Sequence, residues 1–222
     1  MTGAAIGAAL FVLGLAWTFR EPRLTGRLWG LGAMALGSLV VVGSYLAVRS
    51  GRAEAFDAAA RRAATRGSSP RLDRAIGIGT DLGSVYGLAG VAGTLALSRR
   101  PRLAGQVMLA GLTAWTAAQG VKPLLHRPRP YELGTSPRLV APPAGSSWPS
   151  GHAAVAAAMA TTALPLLPRR HQVGTVVLTA AVGVSRLRMG VHHLTDVMAG
   201  FGVGTVSALT VRSAVTWWGT RS

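Results

Sequence analysis

The chain has 222 residues, of which 50% are hydrophobic and only 14% are charged. Lys and Arg total 23 against 7 acidic residues, so the formal net charge is +16, and cysteine is absent. This composition excludes a disulfide scaffold and a cysteine-based metal site. It also argues against a nucleic-acid partner, because no polar domain carries interleaved basic and aromatic residues.

Apolar runs suited to cross a bilayer recur along the chain, since about 20 apolar residues make one helical span. They are Ala4–Phe19, Leu28–Val48, Ala75–Leu97, Leu103–Val121, Ala153–Leu167, Val173–Ser185 and Leu194–Trp217, the fifth and sixth being short. A soluble all-α protein is the alternative, but these runs would leave it little polar face for water. We therefore predict an all-α, polytopic membrane helix bundle, forming a single domain over residues 1–222 and contacting membrane lipids.

The first run, Ala4–Phe19, has no basic residue ahead of it, unlike a secretory signal peptide. We expect it to be an extra N-terminal transmembrane helix, with its loop, in residues 1–27. The core of the bundle is then 28–222.

Arginines between alternate runs predict the sidedness of the bundle. They are Arg20, Arg23, Arg27, Arg99, Arg100, Arg102, Arg169, Arg170, Arg212 and Arg221. Counting crossings puts all of them on one side, which the positive-inside rule makes cytoplasmic. The N-terminus is then outside and the C-terminus inside. If only six runs span, the N-terminus moves inside, but the polar clusters described below stay outside.

Two polar segments lie on the predicted outer side. Arg49–Arg74 contains an Ala-rich stretch, Ala53–Thr65, with charges interspersed. This pattern predicts an amphipathic helix at the interface. The alternative is a solvated loop that violates the positive-inside rule, because the segment carries seven arginines. The segment Tyr131–Trp148 is rich in Pro and Gly, and its length indicates a functional loop or lid.

Three short clusters carry most of the polar chemistry of the chain. The first extends from Lys122, the only lysine, to Arg129-Pro130. Several cationic donors must converge to hold a phosphate, and Arg127 is a further candidate for this. The alternative, flanking charge at a membrane edge, fits poorly because such charge is disfavoured on the outer side.

The second cluster, Pro149–His152, directly precedes an apolar helix. The helix N-terminus suits an anion, Gly151 permits close approach of the backbone, and His152 is placed to protonate a leaving oxygen. A plain capping sequence with Ser150 as the N-cap is the alternative.

The third cluster comprises Ser185-Arg186, His192 and Asp196. His192 and Asp196 are four residues apart and would share a face of a helix, so that Asp196 orients the imidazole for nucleophilic attack. Arg186 ends the preceding helix and can return to the same place. His193 has Asp196 at i+3, so the local spacing leaves both histidines open, as it does a purely structural pair.

No metal site is expected, because the seven carboxylates are scattered along the chain and Mg²⁺ prefers clustered oxygen ligands. Asp81 falls within a predicted span, and we expect it to have a structural role only.

Together the clusters resemble the signature of the type 2 phosphatidic acid phosphatase family, which includes bacterial acid phosphatases and vanadium haloperoxidases. The three parts are a lysine, six residues and Arg-Pro; Pro-Ser-Gly-His; and Ser-Arg, five residues, His, three residues, Asp. All three are complete, in order, over roughly the C-terminal two-thirds of the chain. The resemblance implies that His192 is the nucleophile that forms a phosphohistidine and that Asp196 supports it. His152 then protonates the leaving oxygen and activates water. Lys122, Arg129 and Arg186 hold the phosphoryl oxygens, assisted by Ser150 and the Gly151 amide.

The resemblance further implies a membrane lipid-phosphate phosphatase that needs neither metal nor cofactor. With the site facing out of the cytoplasm, we expect a polyprenyl diphosphate carrier lipid, undecaprenyl or decaprenyl, as the substrate. Phosphatidic acid and phosphatidylglycerol phosphate are the alternatives within the family. A vanadium-dependent haloperoxidase or a non-enzymatic transporter are the alternatives from other classes.

Overall fold

A computed structural model describes residues 25–219, and within this range the chain is helical with no β-strand. The helices are α1 (Thr25–Arg49), α2 (Glu54–Thr65), α3 (Pro70–Thr80), α4 (Val85–Leu97), α5 (Pro101–Val121), α6 (Gly151–Ala163), α7 (Arg169–Arg188) and α8 (Leu194–Gly219). Short 3-10 turns follow α3, α5 and α6. The predicted all-α bundle is confirmed, whereas the proposed N-terminal helix Ala4–Phe19 lies outside the described residues.

Among the described residues, fewer helices are long and apolar enough to span a membrane than the apolar runs of the sequence predicted. In the described range, α1 over Leu28–Arg49 and α8 over Leu194–Trp218 are each long and apolar enough, and α3 with α4 would count as a third. Helix α6 has only 13 residues, and α7 carries arginines at both ends. The predicted runs therefore form helices that differ in how well each could cross a bilayer alone.

The predicted span Ala75–Leu97 is bent rather than continuous. Helices α3 and α4 meet at an angle of 67°, around the 3-10 turn Asp81–Gly83. Ser84 begins α4 by accepting a hydrogen bond from the Gly87 amide at 3.1 Å. A Cβ on Gly83 would lie 2.6 Å from the carbonyl oxygen of His152, so the bend packs tightly against the start of α6.

Helix α8 packs against α1, α5 and α6. Gly200 and Gly204 make the contact with α6 close, since a Cβ there would lie 2.4 Å from Ser150 O and 2.2 Å from Ala154 O. Small residues allow helices to approach in this way in membranes. The core between these helices is correspondingly small-chained: Ala110, Ala114, Ala118, Ala154, Ala158, Ala208 and Val211. The tight packing holds the N-termini of α6 and α8 side by side.

The predicted amphipathic helix is present as α2. Its apolar face, including Ala60 and Ala64, packs on Leu187 and Val197 at the adjoining ends of α7 and α8. Arg188 of α7 donates to Ala64 O, near the end of α2, at 2.9 Å. Arg188 also forms an ion pair with Asp73 of α3 at 2.7 Å. Helix α2 is thus fixed against the bundle where the third polar cluster lies.

The long loop between α5 and α6 is attached to the turn between α7 and α8. Tyr131 N donates to Gly190 O at 3.1 Å, and Leu139 N donates to Met189 O at 3.3 Å. Near its end, Ser147 N donates to Arg127 O at 3.0 Å. These bonds join the first and third clusters through the backbone of the loop.

Candidate active site

The three polar clusters lie together at one end of the bundle. They occupy the end of α5, the start of α6 and the turn from α7 to α8. The backbone of the second cluster is bonded directly to that of the third, since Ser150 N donates to Asp196 O at 3.0 Å. The structure therefore brings together residues that are far apart in the chain.

Asp196 and His192 face each other, but not along one helix as the spacing suggested. His192 lies in the turn before α8, and Asp196 is in the first turn of that helix. Both are buried, and His192 Nδ1 lies 3.7 Å from Asp196 Oδ2. Nδ1 has no hydrogen-bond partner among the described residues, and an approach of under about 1 Å would form the bond. Nδ1 thus faces the carboxylate, which leaves Nε2 for chemistry.

The carboxylate of Asp196 is held in a fixed orientation. Its Oδ2 accepts hydrogen bonds from Ser147 Oγ at 2.6 Å and from the backbone amide of His193 at 2.8 Å. The ring of His193 instead lies 3.2 Å from the Pro128 carbonyl, through Nε2. This geometry favours His192 over His193 as the histidine that Asp196 orients.

The start of α6 presents His152 and a helix N-terminus. Ser150 is the N-cap, and its Oγ accepts from Ala153 N at 3.5 Å. Gly151 and His152 are the first residues of the helix, where free amides favour an anion. The imidazole of His152 lies within electrostatic range of Arg186 and His192. Ser150 therefore caps the helix, as the alternative from the sequence proposed. His152 in the same cluster also lies near residues of the third cluster.

Lys122 and Arg129 are anchored by the backbone of the long loop. Lys122 Nζ donates to Ser146 O at 2.5 Å. The two terminal nitrogens of Arg129 donate to Val191 O at 2.8 Å and to the carbonyls of residues 144–146, with Gly145 O at 3.1 Å. The buried Nε of Arg129 has no partner among the described residues. The 131–148 loop is thus part of the site at its C-terminal end.

Arg186 is anchored from the bent segment. Its Nη1 donates to Thr80 Oγ1 at 2.9 Å, and Thr80 Oγ1 lies 2.7 Å from Ser185 Oγ. The Nε of Arg186 is buried and unpaired within residues 25–219, as is that of Arg129. Buried donors are rarely left unpaired, so these two N–H groups are suited to an anion between them.

Burial and the neighbouring positive charges lower the pKa values of basic side chains in the site. Burial, followed by the charge of Arg129, lowers the pKa of Lys122 to about 8. Burial lowers the pKa of His192 to about 3, with Asp196 opposing the shift and Arg186 and Arg129 adding to it. His192 is therefore neutral near pH 7, as a nucleophile must be, and lies among positive charges that an anionic substrate would balance.

Arg127, which the sequence suggested as a further phosphate ligand, pairs with two carboxylates in the structure. Its Nη1 donates to Asp196 Oδ1 at 2.5 Å and to Thr195 Oγ1 at 2.7 Å, and its Nη2 pairs with Asp57 at 2.5 Å. Both terminal nitrogens of its guanidinium are therefore bonded to groups behind Asp196. Sequence reasoning missed Asp57, Thr195 and Thr80 in this arrangement, because no local pattern links them to the clusters.

A family model described as the PAP2 superfamily matches residues 103–220. The fold resembles the crystal structure of Aquifex aeolicus LpxE, with 24% identity and a TM-score of 0.62 over 69% of this chain and 92% of that one. It also resembles a transmembrane PAP2 type phosphatidylglycerolphosphate phosphatase from Bacillus subtilis, with 23% identity and a TM-score of 0.65 over 84% of this chain and 96% of that one. At these identities the two structures support the fold, and the family model covers all three clusters.

Proposed function

The chain belongs to the PAP2 superfamily, and on that premise we propose that it removes phosphate from a polyprenyl diphosphate through a phosphohistidine. Membership of this family makes the chain a membrane lipid phosphatase of the PAP2 type, and the proposal concerns its substrate and mechanism. The observation that supports the proposed chemistry best is the proximity of cations to the two histidines: Arg129 and Arg186 lie near His192, and Arg186 lies near His152. Lys122 in turn lies near Arg129. The unpaired Nε atoms of the two arginines add to this support.

Phosphate binding is the first step of the proposed mechanism. Arg129 and Arg186 present buried Nε donors, Lys122 adds a compact charge, and the Gly151 amide adds a donor at the start of α6. The terminal nitrogens of both arginines are already bonded to the protein. The cations are therefore preorganised for the charge that builds up on the transferring phosphoryl group. They supply the electrostatic stabilisation that a metal ion provides in other phosphatases.

Phosphoryl transfer to His192 is the second step. Nε2 of His192 attacks phosphorus, the bond from phosphorus to the leaving oxygen breaks, and His152 donates a proton to that oxygen. Burial, with Arg186 and His192 adding to it, lowers the pKa of His152 to about 3, so His152 takes up this proton only when the bound phosphate anion balances the neighbouring positive charge. The imidazole becomes positively charged as the phosphorus–nitrogen bond forms. Asp196, whose Oδ2 lies 3.7 Å from Nδ1, is placed to accept a hydrogen bond from the Nδ1–H group and so to stabilise that charge.

Hydrolysis of the phosphohistidine completes the cycle. His152, now neutral, removes a proton from water, whose oxygen attacks phosphorus. The phosphorus–nitrogen bond breaks, inorganic phosphate leaves, and His192 returns to its neutral form. One histidine thus acts as general acid and then as general base, while the other carries the phosphoryl group.

The distribution of arginines supports a site on the extracytoplasmic face of a multi-pass plasma-membrane protein. Helix α5 runs from Arg102 near its start to Lys122 just beyond its end, which is about 30 Å at 1.5 Å per residue. Helix α7 begins with Arg169 and Arg170, at the end of α6 opposite to His152. By the positive-inside rule the site then faces outward, where polyprenyl diphosphates are released during wall synthesis.

Phosphate release from a panel of lipid phosphates tests the proposal. Purified protein in detergent is offered undecaprenyl diphosphate, decaprenyl diphosphate, phosphatidic acid and phosphatidylglycerol phosphate, with a chelator present. We expect the highest kcat/KM with a polyprenyl diphosphate and none with the His192→Ala variant. A preference for a glycerophospholipid would contradict the proposed polyprenyl diphosphate substrate. Loss of activity in the presence of the chelator would contradict the proposed metal-independent mechanism. Halide oxidation with peroxide and vanadate would instead indicate a haloperoxidase, and binding without turnover a transporter.

A further inference from the structure

A second carboxylate lies behind the pair formed by His192 and Asp196. Asp57 is on α2, is buried, and pairs with Arg127 at 2.5 Å. The same guanidinium pairs with Asp196 at 2.5 Å through its other terminal nitrogen. We call these three side chains the carboxylate bridge.

Thr195 completes the contacts of the carboxylate bridge. Its backbone amide donates to Asp57 Oδ1 at 2.9 Å, and its hydroxyl donates to Asp57 Oδ2 at 2.8 Å. The hydroxyl also accepts from Arg127 Nη1 at 2.7 Å. Asp57 is therefore bonded to the residue directly before Asp196 as well as to its arginine.

The charges of the carboxylate bridge bear directly on phosphoryl transfer. The buried guanidinium of Arg127 lies 2.5 Å from Asp196, and its positive charge offsets the negative charge of the carboxylate. Asp196 alone would therefore stabilise the positive charge that develops on His192 less well. Asp57 restores the balance, since two carboxylates around one guanidinium carry one net negative charge. Buried pairs of this kind are poorly screened by salt, so the compensation acts at full strength.

We propose that Asp57 is a positioning residue for the phosphatase reaction: through Arg127 it gives Asp196 the orientation and the net negative charge that His192 needs during phosphoryl transfer. Helix α2 then contributes to catalysis and does not only lie at the membrane interface. Asp57 itself does not touch the phosphoryl group. The inference rests on the proposed phosphohistidine chemistry.

The test compares Asp57→Asn, Arg127→Gln and the double variant in the full-length protein in detergent. With the lipid phosphate that the wild type hydrolyses fastest, we expect Asp57→Asn to lower kcat by about tenfold or more with KM within about twofold. Inhibition by orthovanadate should change little, because Lys122, Arg129 and Arg186 keep their partners. The Arg127→Gln substitution should cost less in the Asp57→Asn background than alone, because it then removes an unbalanced positive charge.

Asp73→Asn is the matched control. It removes the ion pair with Arg188 that fixes the segment between α2 and α3, without altering any group of the carboxylate bridge, and kcat should stay within about twofold of the wild type. Should Asp57→Asn fail to fold, Thr195→Val removes the shared hydroxyl and should lower kcat in the same direction. A normal kcat in Asp57→Asn, or losses that multiply in the double variant, would overturn the inference alone. A wild type that releases no phosphate from any lipid phosphate would remove the proposed function and this inference together.

Discussion

The backbone amide of Ser150 donates a hydrogen bond to the carbonyl oxygen of Asp196 at 3.0 Å. This bond ties the start of α6 to the first turn of α8, so the segment that carries His152 and the segment that carries Asp196 share one rigid connection. Gly200, one turn further along α8, makes the close approach possible, since its missing side chain faces Ser150 O.

Gly200→Ala is therefore expected to disturb catalysis and stability together. Its Cβ would lie 2.4 Å from Ser150 O and 2.8 Å from Ala153 Cβ, and overpacking of this kind costs about 1–3 kcal/mol. Thermal unfolding in detergent should move to lower temperature, and phosphate release should fall. Gly93→Ala is the control, because no atom lies within 4 Å of its Cβ position. Equal behaviour of the two variants would contradict the close packing.

The pH dependence of kcat/KM should reveal the titration of Lys122. A lysine is charged below its pKa, and burial together with Arg129 brings this pKa to about 8. The ammonium that binds phosphate is thus present near pH 7 and is lost as the pH rises through about 8, so kcat/KM should fall there. In Lys122→Arg, whose guanidinium stays charged, the alkaline limb should disappear, at lower absolute activity. An unchanged limb in that variant would assign it to another group.

The nature of the leaving group should separate the two histidines. His152→Ala should lose about 10²–10⁴ in the rate with a lipid phosphomonoester such as phosphatidic acid, because an alkoxide leaves poorly without a proton. With an aryl phosphate, whose leaving group needs no proton, the loss should be smaller. His192→Ala should be inactive with both substrates. Equal losses for the two substrates in His152→Ala would exclude it as the general acid.

Much of this arrangement was predictable from the sequence, for a physical reason. The apolar runs predicted helices because burial in lipid or protein demands them, and the structure confirms an all-α bundle with α2 at the predicted amphipathic stretch. The three clusters each fall at the end of a run. Helices that run back and forth return such ends to one side, which is how the clusters meet.

The remainder depends on contacts between distant segments. Asp57 bonds to Thr195 across 138 positions, and nothing near Asp57 in the sequence distinguishes it from the other charges of α2. The pairing of Arg127 with Asp57 likewise joins residues that are distant in sequence, so the place of Arg127 in the first cluster suggested a further phosphate ligand instead. The bend at Asp81–Gly83 arises where Gly83 meets the backbone of His152, which hydropathy does not register.

The absence of cysteine allows the sidedness to be tested directly. Leu139→Cys places a thiol in the long loop, where Leu139 is 42% exposed, and Arg170→Cys places one at the exposed start of α7. In intact cells a membrane-impermeant maleimide should label residue 139 and should label residue 170 only after permeabilisation. The reverse pattern would put the active site on the cytoplasmic face.

The most direct measurement is to trap the covalent intermediate. Rapid acid-free quenching of the enzyme with a phosphorus-labelled lipid phosphate, followed by peptide mapping, should find an acid-labile phosphoryl group on His192 and none in His192→Ala. The same label should accumulate further when His152, the group that activates water, is replaced and an aryl phosphate is the substrate. A label on His193, or turnover without any phosphorylated histidine, would contradict the account.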